Sequence, residues 1–318
     1  MKITNNFLLL PPEKLDVQEI LLEAGNSLEE ANKTKNITGI SSLSYANKKS
    51  LTEFVFSGLS IISERHDKLL SSVDAVIVVS QSYDQRIPSL STRIQEKFNI
   101  DTKAFCIDIM DGCTGYIKAL SLASMLEKEG YKKILTVTGD LNSLMTSKSE
   151  LGTKILFGDG ISISLLEADA SVLNTRIFNN GDNKKVISCA VSENILNMNG
   201  FEVFRFTRNV VPPMIKSYLS DSGQEIENYD LIALHQASKL VVSTICATLK
   251  FNNNLCDDFS CGEIGNLGAG SIGAWLSQIK DLNQKGELRM LAVGYGSGLS
   301  WGLASVVVNV QRNEVIYV

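Results

Sequence analysis

Three polar residues in this chain stand at junctions between apolar strands and helix starts: Cys113, His235 and Asn266. Cys113 follows the apolar run Phe105-Cys106-Ile107-Asp108-Ile109. After it, Ile117, Leu120, Leu122, Ala123 and Leu126 recur at helical spacing. A thiol at the start of a helix feels the positive end of the helix field, which favours thiolate, the nucleophilic form. Gly112 and Gly115 keep its flanks small, so a substrate carbonyl can approach the sulfur and the nearby backbone N–H groups. The stretch also fits a buried structural cysteine, since free cysteine is among the most buried residue types.

Of the two histidines, His66 lies among the charges of Glu64, Arg65, Asp67 and Lys68 and reads as solvated on a helix surface. His235 ends the apolar strand Leu231-Ile232-Ala233-Leu234, where open α/β sheets place their sites. A core histidine satisfied by backbone is the other reading. Asn266 sits in a glycine-rich turn, Gly262 to Gly270. Backbone geometry accounts for such an asparagine, and so does an amide N–H that donates to a substrate oxygen. Cysteine, histidine and asparagine together first suggest papain-like proteolysis, but the context of Cys113 is not of that type. The glycines of Val293 to Gly302 lead into a strand, so a dinucleotide site is a poor reading.

With 318 residues, 44% of them hydrophobic, the chain can bury a large core as two domains or one double-sized unit. A net charge of −5 gives no electrostatic reason to expect nucleic acid. Only four apolar residues precede Pro11-Pro12, too few for a signal peptide, and no run approaches the ~18 apolar residues of a membrane span. The six cysteines form no Cys-x-x-Cys pair, which argues against zinc and for a cytoplasmic chain with free thiols.

The elements that must position the three residues read as alternating helices and strands. Helices are expected over 15–31, 51–70, 89–98 and from Cys113, with strands at 74–81, 104–109, 133–140 and 161–168. The second half repeats this: strands at 185–192, 230–236, 288–294 and 303–310, helices at 206–219, 238–249 and 269–280. Asp74-Ala-Val-Ile-Val-Val and Asp230-Leu-Ile-Ala-Leu are 156 residues apart (230 − 74 = 156). Lys133-Ile-Leu and Arg289-Met-Leu share that offset (289 − 133 = 156). A common offset points to an internal duplication, with a site where the two halves meet.

Six motifs then occur in a familiar order: Asp111-Gly-Cys-Thr-Gly, Phe157-Gly-Asp-Gly, Met198-Asn-Gly-Phe-Glu-Val-Phe-Arg-Phe, His235-Gln-Ala-Ser, Gly265-Asn-Leu-Gly-Ala-Gly, and Gly294-Tyr-Gly-Ser-Gly-Leu-Ser-Trp-Gly. In these the chain resembles β-ketoacyl-acyl-carrier-protein synthase III, a condensing enzyme of the thiolase fold. The resemblance implies an α/β, five-layered αβαβα fold of two pseudo-duplicated halves, residues 1–168 with the nucleophile and 169–318 with the histidine and asparagine. It also implies a homodimer. Cys113 would take an acyl group from acyl-coenzyme A or an acyl carrier protein, with the backbone N–H groups of Cys113 and Ser297 as oxyanion hole. His235 and Asn266 would hold the carbonyl oxygen of a malonyl thioester during decarboxylation, with no metal or redox cofactor.

Three departures stand out. The tryptophan and arginine that the family commonly uses to sandwich the adenine of coenzyme A are Lys33 and Leu151 here. The asparagine common after His-Gln-Ala is Ser238. A phenylalanine often placed before Pro88, at the acyl tunnel of the partner subunit, is Ile87, which leaves room for a longer or branched acyl group. Loss of the adenine platform favours an acyl carrier protein as donor, with Arg205, Arg208, Lys216 and Lys239 as candidate docking residues. Two other functions stay open: acyl transfer from Cys113 to an oxygen, nitrogen or sulfur acceptor with His235 as base, and a non-catalytic partner of a condensing subunit.

Overall fold

The computed structural model describes residues 1–171, 173–181, 186–251 and 260–318. The first half runs β1 (Lys2–Leu10), β2 (Lys14–Asp16), α1 (Val17–Glu23), α2 (Leu28–Thr38), β3 (Ser42–Ser44), α3 (Leu51–Arg65), β4 (Ala75–Val79), α4 (Leu90–Lys97), β5 (Phe105–Ile109), α5 (Gly115–Lys128), β6 (Lys133–Leu141), α6 (Leu151–Lys154) and β7 (Asp159–Glu167). The second runs β8 (Asn174–Asn179), β9 (Ile187–Cys189), β10 (Leu196–Met198), α7 (Gly200–Ser222), β11 (Leu231–Leu234), α8 (Lys239–Leu249), α9 (Ser271–Ser277), β12 (Leu288–Gly296) and β13 (Ser300–Tyr317).

The duplication is visible in the hydrogen bonding. Ala75 pairs with Ile134 across β4 and β6, and Leu231 with Met290 across β11 and β12, both in parallel. The same offset of 156 separates both members (231 − 75 and 290 − 134). The turns agree too: Asp74 accepts from the Lys133 amide at 3.0 Å and Asp230 from the Arg289 amide at 2.8 Å. Strand order is β5-β4-β6-β7-β1 in one half and β11-β12-β13-β8 in the other. The long β13 leaves the second sheet and pairs with β1, joining the two.

Period-two burial then builds five layers. Ala75, Ile77 and Val79 of β4 face a core with α5 and α9, which Ala233 of β11 and Ala292 of β12 enter from the opposite sheet. Val76 and Val78 face α3 and α4. Leu291 and Val293 face α7 and α8. The middle layer, α5 and α9, is covered by both sheets, and Cys113 lies two residues ahead of α5.

Several expected elements differ. The helix expected over 15–31 is two helices, because Gly25 takes φ 89° and Ser27 with Glu30 forms a new capping box. The sheet strand expected at 185–192 is the short β9, which pairs only with β10; Lys185 lies outside the described residues. The strand in that sheet position is β8, antiparallel to β13. His66 is not freely solvated: its Nε2 bonds Glu314 at 2.8 Å and its Nδ1 accepts from Arg312 at 3.0 Å. Cys106, Cys113, Cys189 and Cys261 are free. Cys246 is disulfide-bonded, against the expectation of free thiols, and Cys256 lies outside the described residues. Among the described residues no helix is long and apolar enough to cross a membrane.

Candidate active site

Cys113 occupies the turn between β5 and α5, two residues before the first helical residue, and the turn closes through Gly115 N–H donating to Gly112 O at 2.7 Å. Two ties bind this turn to the other half. Thr114 Oγ1 donates to Ser300 O at 3.1 Å, and Ser300 Oγ donates to Thr114 Oγ1 at 2.8 Å. The end of β12 then lies directly against the thiol. A Cβ on Gly296 would fall 2.6 Å from Cys113 Cβ and 2.8 Å from Sγ, so no larger residue fits there.

Sequence reasoning puts Cys113 in the favourable field of a helix, but the resting sulfur is a thiol. Burial pushes it up to about 12, aided by the carboxylates of Asp111 and Asp140. Two groups pull the other way: the backbone N–H groups of Cys113 itself and of Ser297, both within hydrogen-bonding reach of Sγ. These two N–H groups converge where negative charge would form on an atom attached to, or replacing, the thiol.

His235 follows β11 directly, and its N–H donates to Val293 O at 2.8 Å. The ring is 1% exposed and stands edge-on to Tyr295, with centroids 5.3 Å apart. Tyr295 Oη donates to His235 O at 2.6 Å, fixing the residue from a second side. Burial alone lowers its basicity to about 3, so the imidazole is neutral at physiological pH. Since the unfolded chain binds this proton near 6.5 and the folded one near 3, His235 withdraws stability as pH falls through that window. Nδ1 is buried without a partner among the described residues.

Asn266 is held by its backbone. Its N–H donates to Leu156 O at 2.9 Å and its carbonyl accepts from Gly158 N–H at 3.1 Å, a short bridge beside Phe157. This gives the Phe157-Gly158-Asp159-Gly160 motif its purpose. A Cβ on Gly158 would fall 1.9 Å from Ile264 O, and buried Asp159 accepts from the amides of Ala46 and Ser143. The Asn266 side chain is oriented by Oδ1, which accepts from Gly268 N–H at 2.9 Å and Ser271 Oγ at 3.2 Å. Its NH₂ is thereby left to donate elsewhere.

Cys113, His235 and Asn266 meet in one cavity of about 310 Å³, walled by Leu156, Phe157, Phe204 and Tyr295. Ile37 and Thr38 of α2, Gly152 of α6, and Ser238 and Leu240 at the start of α8 also border it. Ser238 caps α8, its hydroxyl accepting from Val241 N–H at 3.4 Å. Lys33 is exposed on α2, and Leu151 packs inward on a small apolar cluster, so neither offers a stacking surface. Tyr295 and Gly296 were hidden from sequence reasoning within a glycine-rich motif. The signal available was the alternation of glycine with a single aromatic on a buried strand.

The remaining candidates are more scattered. Ile87 is 85% exposed and lies outside this cavity. Arg205 pairs with Glu202 at 2.5 Å, while Arg208, Lys216 and Lys239 are exposed and form no ion pair among the described residues. Lys216 lies roughly 24 Å along α7 from Gly200, at 1.5 Å per residue, too far to belong to the cavity mouth.

Comparison with known proteins gives a consistent result. Residues 107–181 match the family model for 3-oxoacyl-[acyl-carrier-protein] synthase III, and residues 219–308 match that for its C-terminal part, together just over half of the chain. The β-ketoacyl-[acyl-carrier-protein] synthase III of Clostridium acetobutylicum is 31% identical over 251 residues, 72% of this chain and 75% of that protein. That of Clostridium novyi is 30% identical over 250 residues, 72% and 76%. Among solved structures, the 3-oxoacyl-(acyl-carrier protein) synthase of Burkholderia xenovorans superposes with a TM-score of 0.92 at 23% identity, covering 100% of this chain and 97% of that one. The priming β-ketosynthase of the R1128 polyketide pathway gives 0.85 at 19%, covering 96% of each.

Proposed function

Because the chain belongs to the 3-oxoacyl-[acyl-carrier-protein] synthase III family, we propose that Cys113, His235 and Asn266 together run a two-step decarboxylative condensation. The chain is a condensing enzyme of the acyltransferase type, serving fatty-acid or specialised acyl biosynthesis. We place the boundary of the two thiolase-type halves between residues 168 and 169, in the stretch that links β7 and β8.

In the first step Cys113 Sγ attacks the thioester carbonyl of the donor. The new C–S bond forms as the donor C–S bond breaks, and the donor leaves as a thiol with the proton that Cys113 gives up. The N–H groups of Cys113 and Ser297 take the oxyanion. In the second step a malonyl thioester places its carbonyl oxygen between His235 Nε2 and the Asn266 NH₂. The bond to the carboxylate breaks, CO₂ leaves, and the electron pair becomes enolate charge on that oxygen. The enolate carbon then attacks the acyl carbonyl, the Cys113 C–S bond breaks, and a 3-oxoacyl thioester results. The departing Cys113 thiolate takes one proton from solvent to return to the thiol.

The observation that carries this reading is the state of His235. A general base for the thiol must keep the proton it takes, and the burial that lowers the basicity of this imidazole opposes that. A neutral imidazole with its proton on Nε2 is a donor, as Asn266 is. Two donors and a nucleophile fit enolate formation better than transfer to an oxygen, nitrogen or sulfur acceptor, and the intact set gives no reason to read a non-catalytic partner.

For the donor, the exposed Arg208 on α7 and Lys239 at the start of α8 are the cations best placed to meet an acidic carrier protein. Arg208→Glu with Lys239→Glu should slow acylation of Cys113 from carrier-borne donors about tenfold, mainly through association rate. The same acyl group on coenzyme A should be unaffected. Slowing of both donors alike would remove the docking assignment.

A homodimer is supported by β5, which has one neighbour in the sheet and is only half buried. Met110 and Ile87 beside it are 76% and 85% exposed. Sedimentation should give a particle twice the 34.7 kDa chain mass, with Ile87→Asp shifting it toward monomer. A monomer at micromolar concentration would contradict it.

A further inference from the structure

Cys113 lines one cavity, and Asp111 and Ser297, its neighbours on either side, line a second. The cavity with His235 and Asn266 holds the two side-chain donors, so the malonyl unit belongs there. A second cavity of about 450 Å³ includes Ser297, whose N–H reaches Sγ, and shares Ile187 with the first. Once an acyl carbonyl sits between the N–H groups of Cys113 and Ser297, this second cavity is what remains for its chain.

Its wall does not match a plain alkyl chain. Its lining mixes apolar Met110, Met145 and Leu196 with polar Gln81, Arg86, Asp111, Lys118 and Asn179. Asp111, two residues before the nucleophile, is 8% exposed; its Oδ2 bonds Lys118 of α5, and its Oδ1 has no partner among the described residues. Lys118 is itself only 26% exposed. An alkyl end pressed on this pair would strip water from two charges and return nothing. A hydroxyl or carboxamide both donates and accepts, so it can bond the carboxylate and the amide or ammonium groups together. An anionic end would meet Asp111 but also Arg86 and Lys118, so it is the competitor to test against.

We infer that the acyl group loaded on Cys113 is a short one carrying a neutral hydrogen-bonding group, hydroxyl or carboxamide, and that Asp111 and Lys118 select it. This rests on the condensing reading above and names the substrate class of the same site. The test is the rate at which Cys113 gains mass from acyl carrier protein loaded with 3-hydroxybutyryl, 3-methylbutyryl or succinyl groups. The first two differ only by hydroxyl for methyl. The hydroxylated group should load about tenfold or more faster, since a site built to bond a hydroxyl rejects the analogue that lacks it. In Asp111→Ala/Lys118→Met the two should load at similar rates. If the wild type loads both equally, prefers the methyl group, or prefers succinyl, this inference is overturned and the condensing reading stands. If none of the three loads but another acyl group does, this inference alone is overturned; if no acyl thioester loads Cys113, the condensing reading falls and takes this inference with it.

Discussion

Cys113→Ala should abolish the mass increase expected of the wild-type protein when mixed with a suitable acyl thioester, and condensation with it. The effect is expected to be complete rather than graded, because the alanine leaves no atom that can form the acyl bond. Folding should survive. The substitution removes one sulfur beside Gly296, where a Cβ would already crowd, so the turn keeps its ties through Thr114 and Ser300. The free thiols Cys106, Cys189 and Cys261 provide an internal control, since a label on any of them would remove Cys113 from the nucleophile's role.

The second large effect divides the labour between the two steps. His235→Ala and Asn266→Ala should each keep most of the acylation of Cys113 yet lose roughly 10²–10³ in decarboxylation, the usual cost of one oxyanion donor. Asn266→Asp should be as severe, because a carboxylate in that place repels the enolate. The pH dependence separates donor from base. His235 titrates near 3, so it stays neutral from pH 5 to pH 8, and decarboxylation should show no limb near 6.5 from this residue. A base of ordinary basicity would switch off as pH fell through 6.5. Variants that lose acylation but decarboxylate normally would exchange the roles assigned to the two steps.

Much of the site was legible in the sequence because its residues stand at strand ends, and strand ends are marked by apolar runs. The 156-residue offset read from Asp74 and Asp230 turned out to be an offset of hydrogen-bond register, not only of composition. What escaped reading has a physical pattern. Strand β8, Asn-Thr-Arg-Ile-Phe-Asn, lies at a sheet edge and lacks a continuous apolar run, so nothing in its composition announces it. Helix α7 begins at Gly200 rather than Phe206, and Asn199 caps it by accepting from the Glu202 amide, a signal present but overlooked. Its Pro212 and Pro213 lie within the helix, held by packing where propensity alone would break it. The thiol of Cys113 shows the limit of local reasoning most clearly. A helix start favours thiolate, but burial and the carboxylates of Asp111 in the same turn and of Asp140 on β6 outweigh it.

The central claim is that carbon–carbon bond formation is coupled to loss of CO₂ in the cavity shared by Cys113, His235 and Asn266. It is tested most directly by loading Cys113 with an acyl group from its carrier, adding malonyl-loaded acyl carrier protein, and measuring CO₂ and 3-oxoacyl product together. The account predicts one CO₂ released for each 3-oxoacyl thioester formed, with both lost in parallel in His235→Ala and Asn266→Ala. Discharge of the acyl group from Cys113 to another acceptor with no CO₂ released would contradict it.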